Sequence, residues 1–378
     1  MQRKYLRTIV CWNALEPIVD LIRQNRSTIV CPVINWIEGK TLEFKGSEED
    51  IFRVGGFTWD GYFTFLDTPV EWRKARKSPT EPVRVPTMAG GLFAVNREYF
   101  FEIGAYDDAM EGWGGENLEI SFRTWMCGGS IVQAPCSYVG HVFRSSHPFK
   151  FPSDKDTFRI NTARLAEVWM DSYKEVFYFM NPGMKNVSYG DVSERKALRK
   201  RLKCKSFKWY LDNVYPKVFI PTERVFAYGY VKNPATDMCI DSMQHDLENL
   251  GESLGVYPCH PENKVELSQF TSYSWASEIR KEDMCAELGP QSTVDGKVQA
   301  KVVMWPCGAN LVSLEHQRWD HTRGGPIRHR VSGLCLESNI TEQDAMLAVP
   351  CTGTENQMWR FQHYIEAQPQ DSTASNQS

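Results

Sequence analysis

Six cysteines in the C-terminal part of the chain recur in register. First members stand at Cys239, Cys285 and Cys335, in steps of 46 and 50 residues, and second members at Cys259, Cys307 and Cys351. Three consecutive units therefore each close a short loop with one candidate disulfide. Their openings also match: Cys239-Ile-Asp241, Cys285-Ala-Glu287 and Cys335-Leu-Glu337. The second and third units close with Gln317-Arg-Trp319 and Gln357-Met-Trp359, whereas the first ends in Gln269-Phe270. Each unit is rich in β-branched and aromatic residues between Gly, Asn and Asp turns, the pattern of short strands and hairpins. A unit this small cannot bury an apolar face alone, so the repeat predicts three β-lobes about a pseudo-threefold axis sharing one aromatic core. Its tryptophans and cysteines are expected first of all to pack and staple those lobes.

Residues 1–212 read differently. Ser27 to Trp36 is a buried-strand run, Met88 to Val95 is an apolar segment containing Gly90 and Gly91, and Arg97 to Ile103 has the spacing of a short amphipathic helix. Helical spacing continues over Asn117 to Met126 and Asp156 to Tyr178. The alternation predicts an α/β domain. Residues 213–234, with three prolines, are expected to form a linker, 235–364 the β-lobes, and 365–378 a polar, disordered tail. At 378 residues the chain is long enough for two or three cores.

Lys and Arg number 43 against 47 Asp and Glu, so the chain as a whole has no strong electrostatic pull toward nucleic acid or an anionic membrane. The run Glu194 to Lys208 holds eight basic residues without interleaved stacking aromatics. A solvated helix face explains it better than a nucleic-acid groove. No stretch approaches the roughly 18 apolar residues of a transmembrane segment. The opening Met1-Gln-Arg-Lys-Tyr-Leu-Arg-Thr-Ile-Val-Cys is too short in its apolar part for a secretory signal. The cysteine usage nevertheless points to an oxidising compartment, and sequons at Asn25, Asn186, Asn339 and Asn376 lean the same way.

Three clusters in the first domain could carry chemistry: Thr87-Met-Ala-Gly-Gly-Leu-Phe93, Glu111-Gly-Trp-Gly-Gly-Glu-Asn-Leu-Glu119 and Gly140-His-Val-Phe-Arg144. Paired glycines let backbone approach a ligand closely. Glu116 and Asn117 offer a carboxylate and an amide, groups that hold sugar hydroxyls. His141 and Arg144 could share a face near a metal-bound diphosphate, although a lone imidazole also commonly satisfies a local hydrogen bond. A Walker loop, HExxH, CxxC and a Gly-x-Ser-x-Gly elbow are all absent from the sequence.

The sequence resembles the polypeptide N-acetylgalactosaminyltransferases. Leu15-Glu-Pro17, Val30-Cys-Pro-Val-Ile34, Pro86 to Phe93, Trp113 to Arg123, Gly140 to Arg144, Leu165-Ala-Glu-Val-Trp-Met-Asp171 and Cys204 to Leu211 carry the likeness, and the Cys/Gln-x-Trp triplet resembles that family's ricin-type lectin domain. The resemblance implies a GT-A glycosyltransferase fold followed by a ricin B-type β-trefoil. It further implies Mn2+-dependent, retaining transfer of GalNAc from UDP-GalNAc to Ser/Thr-rich acceptor proteins and glycoproteins, in the Golgi lumen. Carried over residue by residue, His141 is the implied metal ligand and Arg144 a phosphate contact. Trp113, Glu116 and Asn117 are implied to line the donor-sugar and acceptor pocket, with Gly90 and Gly91 closing over the sugar. Cys127 and Cys204 are implied to pair, leaving Cys136 without its family partner and Cys11 and Cys31 unpaired.

The family's nucleotide-binding half, closed by Asp-x-His, has no counterpart here: Leu6-Arg-Thr-Ile-Val-Cys-Trp-Asn13 stands where that motif is expected. Impaired catalysis follows as the expectation, with a non-catalytic GalNAc-binding or partner-binding lectin role as the alternative. In the first lobe the resemblance places Asp241, Tyr257 and His260 around a galactose-type ring, with Asn263 standing in for the usual Asn. Glu287 and Glu337, one methylene longer than Asp, are expected to crowd the other two pockets.

Overall fold

The computed structural model describes residues 8–10, 14–45, 53–68, 70–143, 156–243, 251–261, 267–294, 296–308, 314–338 and 345–365. Arg144, Asn263, Cys11 and the 366–378 tail lie outside them. The chain divides into two compact units, Met1–Tyr178 with Gly183–Val218, and Phe179–Pro182 with Phe219–Ser378.

The first unit is α/β. Its strands are β1 (Thr8–Val10), β2 (Thr28–Ile37), β3 (Phe44–Lys45), β4 (Arg53–Phe57), β5 (Phe63–Asp67), β6 (Val83–Arg84) and β7 (Ser130–His141). Its helical segments are α1 (Glu16–Gln24), α2 (Val70–Ala75), α3 (Arg97–Glu102), α4 (Glu116–Met126), α5 (Thr157–Trp169), α6 (Lys174–Met180), α7 (Ser193–Arg201) and α8 (Phe207–Asn213), α6 running across the unit boundary at Tyr178. A mixed sheet runs β1-β7-β2-β3 with β6 also on β7, and β4 pairs with β5 as a hairpin. β7 is parallel to β2 and antiparallel to β1 and β6. The near-continuous apolar run of β2 is buried from Thr28 to Val33, as a strand covered on both faces must be. Ile18 of α1 packs there on Val30 and Ala134, and Ala94 bridges back to Val30 through two 2.9 Å backbone bonds. α4 is buried from Asn117 to Met126, with Phe122 edge-on to Phe57 and Phe207.

One expectation changes in this unit. The helical spacing over Asp156 to Tyr178 is interrupted: α5 stops at Trp169 and Asp171 adopts a left-handed φ of 50°. That turn lets Asp171 cap the Phe207 amide at 2.7 Å and pair with Arg199 at 2.8 Å, contacts a continuous helix could not make. The basic run keeps the expected solvated face: six of its eight cations are exposed, whereas Arg195 is buried and Arg199 half-buried. Arg195 meets Glu119, Arg199 meets Asp171, Lys208 meets Asp212, and Lys205 lies 3.8 Å over the Trp209 ring.

The second unit is a β-trefoil of β8 (Val225–Asn233), β9 (Met238–Asp241), β10 (Gly255–Pro258), β11 (Thr271–Ser274), β12 (Ile279–Lys281), β13 (Met284–Val294), β14 (Lys297–Pro306), β15 (Trp319–His321), β16 (Ile327–His329), β17 (Leu334–Glu337), β18 (Leu347–Pro350) and β19 (Arg360–Tyr364). The expected linker 213–234 is thus corrected in its second half. β8 alternates buried and less buried residues and pairs with β9, β11 and β19, because Pro216, Pro221 and Pro234 flank this strand rather than interrupt it. Trp319 and Trp359 are fully buried, and their indoles donate to the Ala286 and Leu336 carbonyls at 2.9 and 3.0 Å. In the first lobe the buried Thr271 occupies the equivalent position. The disulfides among the described residues are Cys127–Cys204, Cys239–Cys259, Cys285–Cys307 and Cys335–Cys351. Cys31 and Cys136 are free thiols, buried and exposed respectively.

Candidate functional site

The first candidate surface is built where α4 begins. Gly114 and Gly115 take φ of 107° and 80°, a turn open to glycine and strained for other residues. The Glu116 carboxylate folds back to accept the Gly114 amide at 2.8 Å, and Asn117 donates to the Met88 carbonyl at 2.9 Å. Ser121 continues the connection, accepting the Met88 amide at 3.0 Å and donating to the Asn117 carbonyl at 2.6 Å. Gly90, at φ 86°, lies so close that a Cβ there would sit 2.7 Å from the Asn117 Cβ, whereas Gly91 faces open space. The two glycine-bearing motifs are therefore brought together. Trp113 is 46% exposed above them and stacks on Phe158, which stacks in turn on Tyr62. Asn161 went unnoticed in the sequence, yet its amide clamps this loop by donating to the Glu111 and Gly114 carbonyls at 3.0 and 2.9 Å. An Asn on the buried face of an amphipathic helix was the available signal.

His141 ends β7 opposite Trp36 of β2, with Phe143 edge-on at 4.4 Å and Phe143 against Trp36 at 5.3 Å. A divalent cation needs several donors at once, and manganese favours oxygen ligands beside imidazole. Among the described residues no group of three His, Cys, Asp or Glu gathers to hold a metal. His141 by itself does not fit Mn2+.

The three lobes of the trefoil share one polar device and differ at one atom. In each, the buried Gln of the closing motif accepts a backbone amide and donates to a proline carbonyl. Gln269 holds His260 and Pro258, Gln317 holds Gly308 and Pro306, and Gln357 holds Thr352 and Pro350, all at 2.8–3.2 Å. In the second and third lobes the Gln amide also donates to the acidic residue of the opening motif, Glu287 at 3.2 Å and Glu337 at 3.1 Å. The extra methylene thus carries these carboxylates back to their own Gln instead of into a pocket. Asp241 is shorter. It accepts the Met243 amide at 2.7 Å and the Ser268 hydroxyl at 3.1 Å, and among the described residues retains acceptor capacity on both oxygens. Tyr257, 45% exposed, and His260 stand beside one another with ring centroids 5.9 Å apart. A carboxylate and an exposed aromatic face are groups that take the hydroxyls and the apolar side of a sugar ring.

Comparison with known proteins follows the same division. Residues 227–362 match the family described as ricin-type beta-trefoil lectin domain, and residues 73–148 match the one described as N-terminal domain of galactosyltransferase. The chain is 42% identical over 354 residues to the probable N-acetylgalactosaminyltransferase 9 of Caenorhabditis elegans, covering 92% of this chain and 58% of that protein. It is 41% identical over 349 residues to the human polypeptide N-acetylgalactosaminyltransferase 13, covering 91% and 59%. The crystal structure of GalNAc-T7 with UDP, GalNAc and Mn2+ aligns with a TM-score of 0.63 at 31% identity, covering 94% of this chain and 64% of that one. The chain spans less than two thirds of the length of these relatives.

Proposed function

Because the chain belongs to the polypeptide N-acetylgalactosaminyltransferase family, we propose that it serves GalNAc transfer from UDP-GalNAc to Ser and Thr of acceptor polypeptides, and that its first β-lobe holds GalNAc already attached to the acceptor. One observation carries the lectin reading: Asp241 alone of the three lobe carboxylates is not engaged by the Gln of its own lobe, whereas Glu287 and Glu337 are. In this reading Tyr257 and His260 flank the bound ring and Asn263 completes its hydroxyl contacts. Trp113, Glu116 and Asn117 line the donor-sugar and acceptor pocket, with Gly90 and Gly91 closing over the sugar. Arg144 is the diphosphate contact in this reading, and His141 offers a single imidazole, too few donors for a metal by itself, so transfer by these residues alone is expected to be impaired. Disulfides of this number suit an oxidising lumen such as the Golgi.

The test uses the 378-residue chain with a peptide carrying one GalNAc-threonine and with the same peptide unglycosylated. Asp241→Asn removes a charged acceptor and is expected to weaken glycopeptide binding by roughly tenfold or more. Glu287→Gln and Glu337→Gln are expected to leave it unchanged. Undiminished binding by Asp241→Asn refutes the lectin reading. Incubation with UDP-GalNAc, Mn2+ and a Thr-rich peptide reports the transfer arm separately, where turnover abolished by His141→Ala is the supporting result.

A further inference from the structure

A lysine faces inward on β12. The strand reads Ile279-Arg280-Lys281, and its alternation puts Lys281, 7% exposed, on the same buried face as Ile279, 1% exposed. Burying an ammonium costs several kcal/mol unless its protons are well placed. Here they are. Lys281 Nζ donates to the Ser268 carbonyl at 2.6 Å and to the Phe270 carbonyl at 2.7 Å, the two backbone oxygens on either side of Gln269. Ser268 joins this cation to the pocket: its carbonyl also accepts the Ser242 amide at 2.8 Å, and its hydroxyl donates to Asp241 at 3.1 Å. Gln269, held between the two gripped carbonyls, fixes the His260 amide at 3.0 Å. One ammonium therefore anchors the short segment whose side chains orient Asp241 and whose Gln sets the backbone at His260.

We propose that Lys281 is a positioning residue of the first-lobe pocket, acting through Ser268 and Gln269 to hold Asp241 and His260 in sugar-binding geometry. The inference rests on the reading of that pocket as a GalNAc site. The other lobes hold their closing motifs through side chains other than lysine: His329 bonds the His316 carbonyl at 2.9 Å, and Asn233 donates to the Glu355 and Met358 carbonyls at 3.0 and 2.9 Å, so among the described residues the ammonium is what sets the first lobe apart.

The same burial pushes the ammonium down to about 7, with Asp241 acting in the opposite direction. The charged group acting on it is Asp241 from β9; its strand neighbour Arg280 is engaged instead by Glu278 and the Glu282 carbonyl. His260 also stands in this lobe, beside Tyr257. Below about pH 7 Lys281 carries its proton and grips both carbonyls; as pH rises through that value it loses charge and a donor, and the segment loosens.

The experiment titrates the full chain with the GalNAc-threonine peptide from about pH 6 to about pH 8, a window that brackets the displaced Lys281 transition. Unaltered chain is expected to lose about three- to tenfold in affinity toward the alkaline end, the scale of weakening a charge-assisted hydrogen bond. Lys281→Arg keeps a permanent charge and is expected to flatten the profile; Lys281→Met is expected to bind weakly throughout. His260→Gln, whatever its overall affinity, is expected to keep the alkaline loss. A profile unchanged in Lys281→Arg, or abolished in His260→Gln, overturns the assignment even if Lys281→Met fails to fold. No glycopeptide binding by unaltered chain at any pH overturns the pocket reading itself, and this inference with it.

Discussion

Replacing Glu119 by Gln changes one oxygen for an NH2 group and should cost the first unit a large part of its stability. Glu119 is 1% exposed on α4 and accepts hydrogen bonds from Arg123 Nε at 2.9 Å, Arg123 Nη2 at 2.8 Å, Trp169 Nε1 at 3.0 Å and Arg195 Nη2 at 2.9 Å. Both guanidiniums are themselves buried, with side chains 0% and 8% exposed. Their remaining bonds run to the Ile103, Ala105 and Gly104 carbonyls, which supply no countercharge. Glu119→Gln therefore leaves two enclosed cations facing an amide, and breaking a buried pair from one side costs about 3–5 kcal/mol. For a unit of this size that corresponds to a drop of about 10 °C in melting temperature.

Melting followed by tryptophan fluorescence is the assay. Because the chain has two units, the transition lost or lowered should be one of two rather than the whole curve. Acid provides a second readout. Burial pushes the Glu119 carboxyl up, but Arg123 and Arg195 outweigh it and hold the group below its ordinary value near 4.5. Its contribution is complete above that ordinary value and is lost as pH falls through the depressed folded value, so the gap between Glu and Gln proteins must narrow on the acid side. A Gln variant that melts within about 2 °C of the unaltered chain, against the expected loss per kcal/mol, would refute the claim that this carboxylate neutralises both arginines.

Two further outcomes follow from local geometry. Gly114→Ala places a Cβ 2.5 Å from Phe158 Cδ2 at a φ of 107°, and is expected to destabilise by about 1–3 kcal/mol and to alter the emission of Trp113; an unchanged melting curve and spectrum would contradict the packing described. A maleimide should modify exposed Cys136 in the native chain, whereas Cys31, whose thiol burial pushes up to about 12, should react only after unfolding; peptide mapping that finds Cys31 labelled under native conditions contradicts its enclosure.

The amino-acid order alone determined the two-part architecture, since its signals are local or periodic: the 46- and 50-residue cysteine steps, the Gln-x-Trp closures and the apolar run of β2 each encode an element without knowledge of distant neighbours. The same holds for the glycine pairs beside Asn117, which marked a tight turn before its geometry was known. Tertiary structure decided what depends on residues far apart in the chain. The break at Asp171 exists for Phe207 and Arg199, and β8 exists because β9, β11 and β19 supply its partners. Which lobe retains a carboxylate for a ligand turned on whether one methylene lets it reach its own Gln, and the role of Lys281 turned on carbonyls 11 and 13 residues away. Hydrogen-bond reach is a matter of tenths of an ångström in three dimensions, and residue spacing along a chain carries no such measure.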